Sequence, residues 1–243
     1  MAGSLLPYLP LALGLASAAR AAFAAPAPGA HPAPAPSPAP TPAATPAADD
    51  RPKGPTVVGI LVFEGVELLD FTGPAEVFAV AGHGSMFKVV TVAESKAPLP
   101  TMGGLTFVPS HTYDDAPPLG VLVVPGGNMR AVTPRGVEWL KATAAATPIT
   151  MSVCMGSMLL ARAGLLAGIE ATTHHWGLDH LRATVPTCRV VTGRRFVDAG
   201  RVITTAGVTA GIDGALHVVE RLHGADAAAW TAKEWMEHPT PTA

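Results

Sequence analysis

Cysteine is nearly absent: the 243 residues hold only Cys154 and Cys188. That excludes a disulfide-stapled scaffold. It leaves one possible bridge, or one reactive and one buried thiol. Positive charge is also scarce. Lys and Arg number 16 against 18 Asp and Glu, a net charge of −2, and no basic stripe stands out. Nothing here points to nucleic acid as a partner. No apolar run makes a good membrane-spanning helix, because the best candidate, LLPYLPLALGLASAARAAFAA, is short and broken by proline. There is no internal repeat. No standard metal-ligand spacing occurs either: His174, His175, Asp179 and His180 in TTHHWGLDH match none, and the expectation is that no metal is bound.

What is present divides into three parts. Residues 1–25 read as a secretory signal peptide, with small residues at Ala22 and Ala24 for cleavage after Ala24 or Ala25. The alternative is an anchor that is never cleaved. Residues 26–54 are nearly all Pro and Ala, which cannot bury a core, so a disordered linker is expected. Residues 55–240 form the folded domain, long enough for a real core. The expected location is exported, periplasmic or secreted, with a membrane tether if the signal is retained.

Within the domain, short apolar β-branched runs predict strands at 56–63, 87–93, 119–127, 148–154 and 170–176. Helical patterns occupy 73–81, with Pro74 at its first position, then 135–146, 156–166, 177–185 and 211–224. A hairpin-like excursion is expected at 105–117, and a hairpin over 194–207 turning at Ala199-Gly200. Fully apolar strands alternating with helices imply a doubly wound α/β fold: a mostly parallel sheet with helices on both faces. The four tryptophans, Trp139, Trp176, Trp230 and Trp235, read as packing residues.

Ligand sites in such sheets form beyond the carboxyl ends of the strands. That rule gathers Asp70, Gly126-Gly127 and Cys154 on one rim. Cys154 closes a strand and opens a helix in TMSVCMGSMLLARAGLL. A helix N-terminus offers free N–H groups that favour a thiolate nucleophile, although a cysteine among apolar residues also suits plain packing. Asp70, in ELLDFTGP, could cap a helix, or act as general acid or base with a pKa raised by burial. Gly126 and Gly127 allow close backbone approach and could stabilise a developing anion, or simply make a turn. The TTHHW histidines suit structural or capping roles, or a partner for Cys154.

The blocks GILVFEGVELLDFTGPAEVF, VLVVPGG, SVCMGSMLLARAGLLAGIEATTHHW and RVITTAGVTAGIDGALHVVERLHG, in this order, resemble the ThiJ/PfpI superfamily. Its fold is like that of class I glutamine amidotransferases. The resemblance covers about residues 55–240 and is strongest to isonitrile hydratases and to the amidase-like domain of AraC-type regulators. It implies a flavodoxin-like sandwich, a homodimer, no cofactor and a small-molecule substrate. It further implies Cys154 as nucleophile, Asp70 as its acidic partner, and Gly126 or Gly127 as the oxyanion glycine. After the nucleophile the hydratase branch typically carries Thr and the protease-like branch His. Here Met155 takes that substrate-side position and cannot act as a base, which argues against a Cys-His protease. No helix-turn-helix pattern follows KEWMEH, an expectation against a transcription regulator. The implied activity is hydration of an isocyanide to an N-substituted formamide, or a related small-molecule hydrolysis or lysis. A ligand-binding or redox-sensing domain using the same cysteine is the alternative.

Overall fold

The computed structural model describes residues 54–238. The expected signal peptide, and all of the expected linker except Gly54, lie outside the described residues. In chain order the strands are β1 (Thr56–Leu61), β2 (Phe87–Ala93), β3 (Leu99–Pro100), β4 (Thr106–Phe107), β5 (His111–Thr112), β6 (Val121–Val124), β7 (Ile149–Ser152), β8 (Glu170–Ala171), β9 (Arg189–Val190), β10 (Phe196–Asp198) and β11 (Val202–Thr205). The helices are α1 (Leu68–Gly84), α2 (Pro134–Ala146), α3 (Gly156–Arg162), α4 (Leu178–Thr184), α5 (Ala210–His223) and α6 (Ala225–Trp230).

Seven strands form the main sheet in the order β10-β11-β7-β6-β1-β2-β5. Every pairing is parallel except β10 with β11. The reason lies in the sequence: VLVV of β6 and ITMS of β7 are buried at every position, which only a sheet covered on both faces allows. Helices α1, α5 and α6 pack together, and α2, α3 and α4 pack together, giving the two covering layers. The chain winds outward from β1 in both directions, so the switch point falls between β1 and β6. Their carboxyl ends, with those of β7 and β11 beside them, form the rim where the fold leaves a crevice.

Three local expectations change. Helix α1 starts at Leu68, five residues before the expected 73, and Pro74 lies inside it. Proline there removes one helical hydrogen bond, while its ring packs beside Gly211 of α5, where a Cβ would lie 3.3 Å from the Pro74 Cγ. Glu67 is therefore the N-cap residue and Asp70 sits in the first turn. The excursion at 105–117 is real but divided: β4 pairs antiparallel with β3, whereas β5 joins the main sheet beside β2. The strand expected over 170–176 stops at Ala171. A short 3-10 turn, His175–Gly177, follows, and the His174 ring nitrogen accepts the Trp176 N–H at 3.3 Å.

Candidate active site

Three loops on the rim are stitched together by backbone hydrogen bonds. The loop after β1 bonds the loop after β6 twice: Glu67 N–H to the Gly126 carbonyl at 3.0 Å, and Asn128 N–H to the Gly65 carbonyl at 2.8 Å. Gly127 lies between these bonds at φ 132°, and a Cβ there would fall 2.4 Å from the Gly65 oxygen. Only glycine meets both conditions. The loop after β7 joins through Val153 N–H to the Val124 carbonyl at 3.0 Å.

Cys154 is the residue at which the chain turns from β7 into α3. Its φ is 57°, in the left-handed region where a side chain is strained. The turn is tight because Gly156 passes against β6: a Cβ there would lie 1.9 Å from the Val124 oxygen. Below the turn, the Cys154 carbonyl accepts the Thr173 hydroxyl at 2.9 Å, and that hydroxyl pairs with Ser157 Oγ at 2.7 Å. On another side, Cys154 N–H donates to the Ala206 carbonyl at 3.0 Å. The N–H groups of Met155 and Val208 face the sulfur and favour its ionised form.

Asp70 is completely buried. Its Oδ2 accepts the Gly126 N–H at 2.9 Å, and its Oδ1 has no hydrogen-bond partner of good geometry. The carboxyl and the Cys154 thiol interact directly. Gly126 fills the corner between them: a Cβ there would meet Asp70 Oδ2 at 2.7 Å, Met155 N at 3.0 Å and Cys154 Cβ at 3.3 Å. Asp70, Gly126 and Cys154, distant in sequence, are thus immediate neighbours.

The electrostatics of the pair differ from the expectation for the cysteine. Burial pushes the Asp70 carboxyl up to about 6; the Glu67 charge adds to this, and the Gly126 N–H and the thiol oppose it. Burial is also the largest influence on Cys154, followed by the Asp70 charge, and together they push the thiol up to about 12. The N–H groups of Met155 and Val208 pull it down but do not prevail. The expected favouring of a thiolate at the helix N-terminus is therefore overridden by loss of solvent and by the facing carboxylate. At neutral pH the resting pair is a thiol beside a carboxylate.

The two glycines separate in role. The Gly126 N–H is already held by Asp70, whereas the Gly127 N–H has no partner among the described residues. Met155 turns its thioether toward Gly177, where a Cβ would lie 2.6 Å from Sδ. Its side chain therefore packs against the turn at Gly177. Next to it stand His174, His175 and Trp176, with ring centroids 4.2 Å apart for the two histidines and 4.8 Å for His174 and Trp176. Trp176 is 78% exposed, so the packing role expected for it does not hold. His174 lies over Gly207 and makes no hydrogen bond to Cys154. Among the described residues no cluster of His, Cys, Asp and Glu could hold a metal. Cys188 is buried between α4 and β9, and both cysteines are free thiols.

Sequence reasoning missed the segment 206–209 that touches Cys154. The signal was available, because it lies beyond the carboxyl end of β11, which pairs with β7. Its contribution is made by backbone rather than by a reactive side chain.

Residues 56–221 match the profile of the DJ-1/PfpI family, and the chain belongs to that family. An isonitrile hydratase from Pseudomonas putida is 35% identical over 189 residues, spanning 76% of this chain and 79% of that protein. The HTH-type transcriptional regulator GbdR from Pseudomonas aeruginosa is 29% identical over 182 residues, but this chain spans only 49% of its length. Among solved structures, a ThiJ/PfpI family protein from Pseudomonas syringae superposes with a TM-score of 0.69 at 30% identity, covering 85% of each chain.

Proposed function

We propose that the protein is a cofactor-free cysteine enzyme that hydrates isocyanides to N-substituted formamides. The observation that carries the reading is the buried contact of the Cys154 thiol with the Asp70 carboxyl beside Gly126. It is supported by the likeness to an isonitrile hydratase over most of both chains. As sulfur attacks the terminal isocyanide carbon, the Asp70 carboxylate takes the thiol proton and delivers it to that carbon, giving a thioimidate on Cys154. Water then adds to the same carbon, with Asp70 again accepting a proton and returning it to nitrogen. The tetrahedral adduct expels the sulfur, which recovers its proton, and the formamide leaves. The Gly127 N–H is the backbone donor available to the developing charge, and Met155 favours an apolar substituent on the substrate. The exported location and the homodimer expected from the sequence are part of this proposal.

The test is turnover of aryl isocyanides by the purified protein, followed as formamide. Wild type is expected to be active. Cys154→Ala and Asp70→Asn are each expected to lose at least about 10³-fold in kcat/KM. The similarity to a regulator over 73% of this chain favours one other reading, a ligand-binding or oxidation-sensing domain. Absence of turnover, with Cys154 gaining one or two oxygens under mild peroxide, would replace the enzyme reading with that one.

A further inference from the structure

The segment 206–209 reaches Cys154 through the Ala206 carbonyl, which accepts the Cys154 N–H at 3.0 Å, and this brings the Val208 N–H to face the sulfur. Val208 is held at φ 47°. A β-branched residue is a genuine outlier there and persists only if its surroundings impose it. The surroundings that do so converge on Arg195. Its carbonyl accepts the Ala206 N–H at 2.8 Å. Its guanidinium donates to Thr209 Oγ1 at 3.1 Å and, through Nε, to Asp213 Oδ2 at 2.5 Å. Asp213 is buried in the first turn of α5, and its other oxygen lies 3.1 Å from His238 Nε2. Thr209 occupies the N-cap position of α5 yet makes no side-chain cap bond, so its hydroxyl serves Arg195 instead. Arg195 therefore grips the residues on both sides of Gly207 and the strained Val208 and anchors them to a buried carboxylate. Nothing in the reaction proposed above uses it.

We infer that Arg195 is a positioning residue of the site, which seats the segment 206–209 against Cys154, with the Val208 N–H facing its sulfur, by tying Ala206 and Thr209 to Asp213. Without it, Val208 relaxes toward negative φ and its donor leaves the sulfur. The inference concerns the reactivity of the thiol, so it stands or falls separately from the isocyanide reading.

The test is alkylation of the full-length protein by iodoacetamide, with the Cys154 peptide quantified by mass spectrometry. Between about pH 7 and 9 the rate is proportional to the thiolate fraction. Arg195→Met is expected to slow Cys154 alkylation about tenfold at each pH, because losing one donor to sulfur raises the thiol by about one unit. Arg195→Lys keeps the charge but not the fork, and is expected to fall between the two. Thr209→Val removes one bond of the grip and leaves the Arg195–Asp213 pair. It is expected to move the rate in the same direction by less, and it decides the matter if Arg195→Met does not fold. A merely structural role would loosen the site, expose the thiol and speed its alkylation. An unchanged or faster rate at Cys154 in the folded variant overturns the inference.

Discussion

Replacing Asp70 by Asn should make the folded chain more stable while removing its activity. Asp70 is completely buried, and its carboxyl is raised from 3.8 to about 6, chiefly by that burial. The folded chain thus holds this proton more tightly than the unfolded chain does. The stability gained is full below about pH 3.8 and is lost as the pH rises through about 6. Two units at ~1.4 kcal/mol each make the ionised carboxyl cost about 3 kcal/mol at neutral pH. Asn keeps an oxygen for the Gly126 N–H and carries no charge to bury. Urea unfolding of both proteins from about pH 4 to 8 measures the difference. It should be near zero at the acid end, widen in favour of Asp70→Asn through about pH 6, and then level off. A difference independent of pH, or a wild type that gains stability across that window relative to the variant, refutes the reasoning.

In the proposed reaction the same titration sets the rate. The proposed attack needs the Asp70 carboxylate to take the thiol proton, so kcat/KM for an aryl isocyanide should rise through about pH 6 and then flatten, as a pH–rate profile would record. Two glycine substitutions should separate folding from chemistry when melting temperature and turnover are measured together. Gly156→Ala sets a Cβ 1.9 Å from a backbone oxygen, which cannot yield, and should cost more than about 3 kcal/mol of stability. Gly126→Ala sets its Cβ 2.7 Å from a carboxyl oxygen that can swing aside, and should leave the fold standing while lowering kcat/KM about 100-fold.

The parts of the fold legible in the sequence are those decided by burial alone. Runs such as VLVV and ITMS can only be central parallel strands, and they are. The misread boundaries are those decided by contacts across the molecule. Pro74 suits a first helical position because proline is at ease there. The actual start at Leu68 follows from the Glu67 N–H bonding the Gly126 carbonyl, an interaction 59 residues away that no local pattern announces. The threonines 172 and 173 are good strand formers, yet they leave the ladder. The Thr172 N–H donates to Thr204 Oγ1 and its hydroxyl to the Val191 carbonyl, while the Thr173 hydroxyl donates to the Cys154 carbonyl and braces the turn that carries the cysteine.

At the site, residues with side-chain chemistry were legible and backbone groups were not. The carboxyl-end rule placed Asp70, Gly126 and Cys154 together, as they are. Applied to β11, the same rule would have added Val208, but a valine gives no hint that its N–H rather than its side chain faces the sulfur. The protonation state of the thiol was hidden for a related reason. A helix N-terminus favours a thiolate in the abstract, but the outcome depends on how much solvent is lost and on which charge stands opposite, and both are tertiary. With the thiol at about 12 and the carboxyl at about 6, the proton rests on sulfur at neutral pH. A resting thiol is slow to oxidise and slow to alkylate. The proposed reaction therefore requires its nucleophilicity to be raised at the moment of attack, and the Asp70 carboxylate, charged at neutral pH, is the base that faces it.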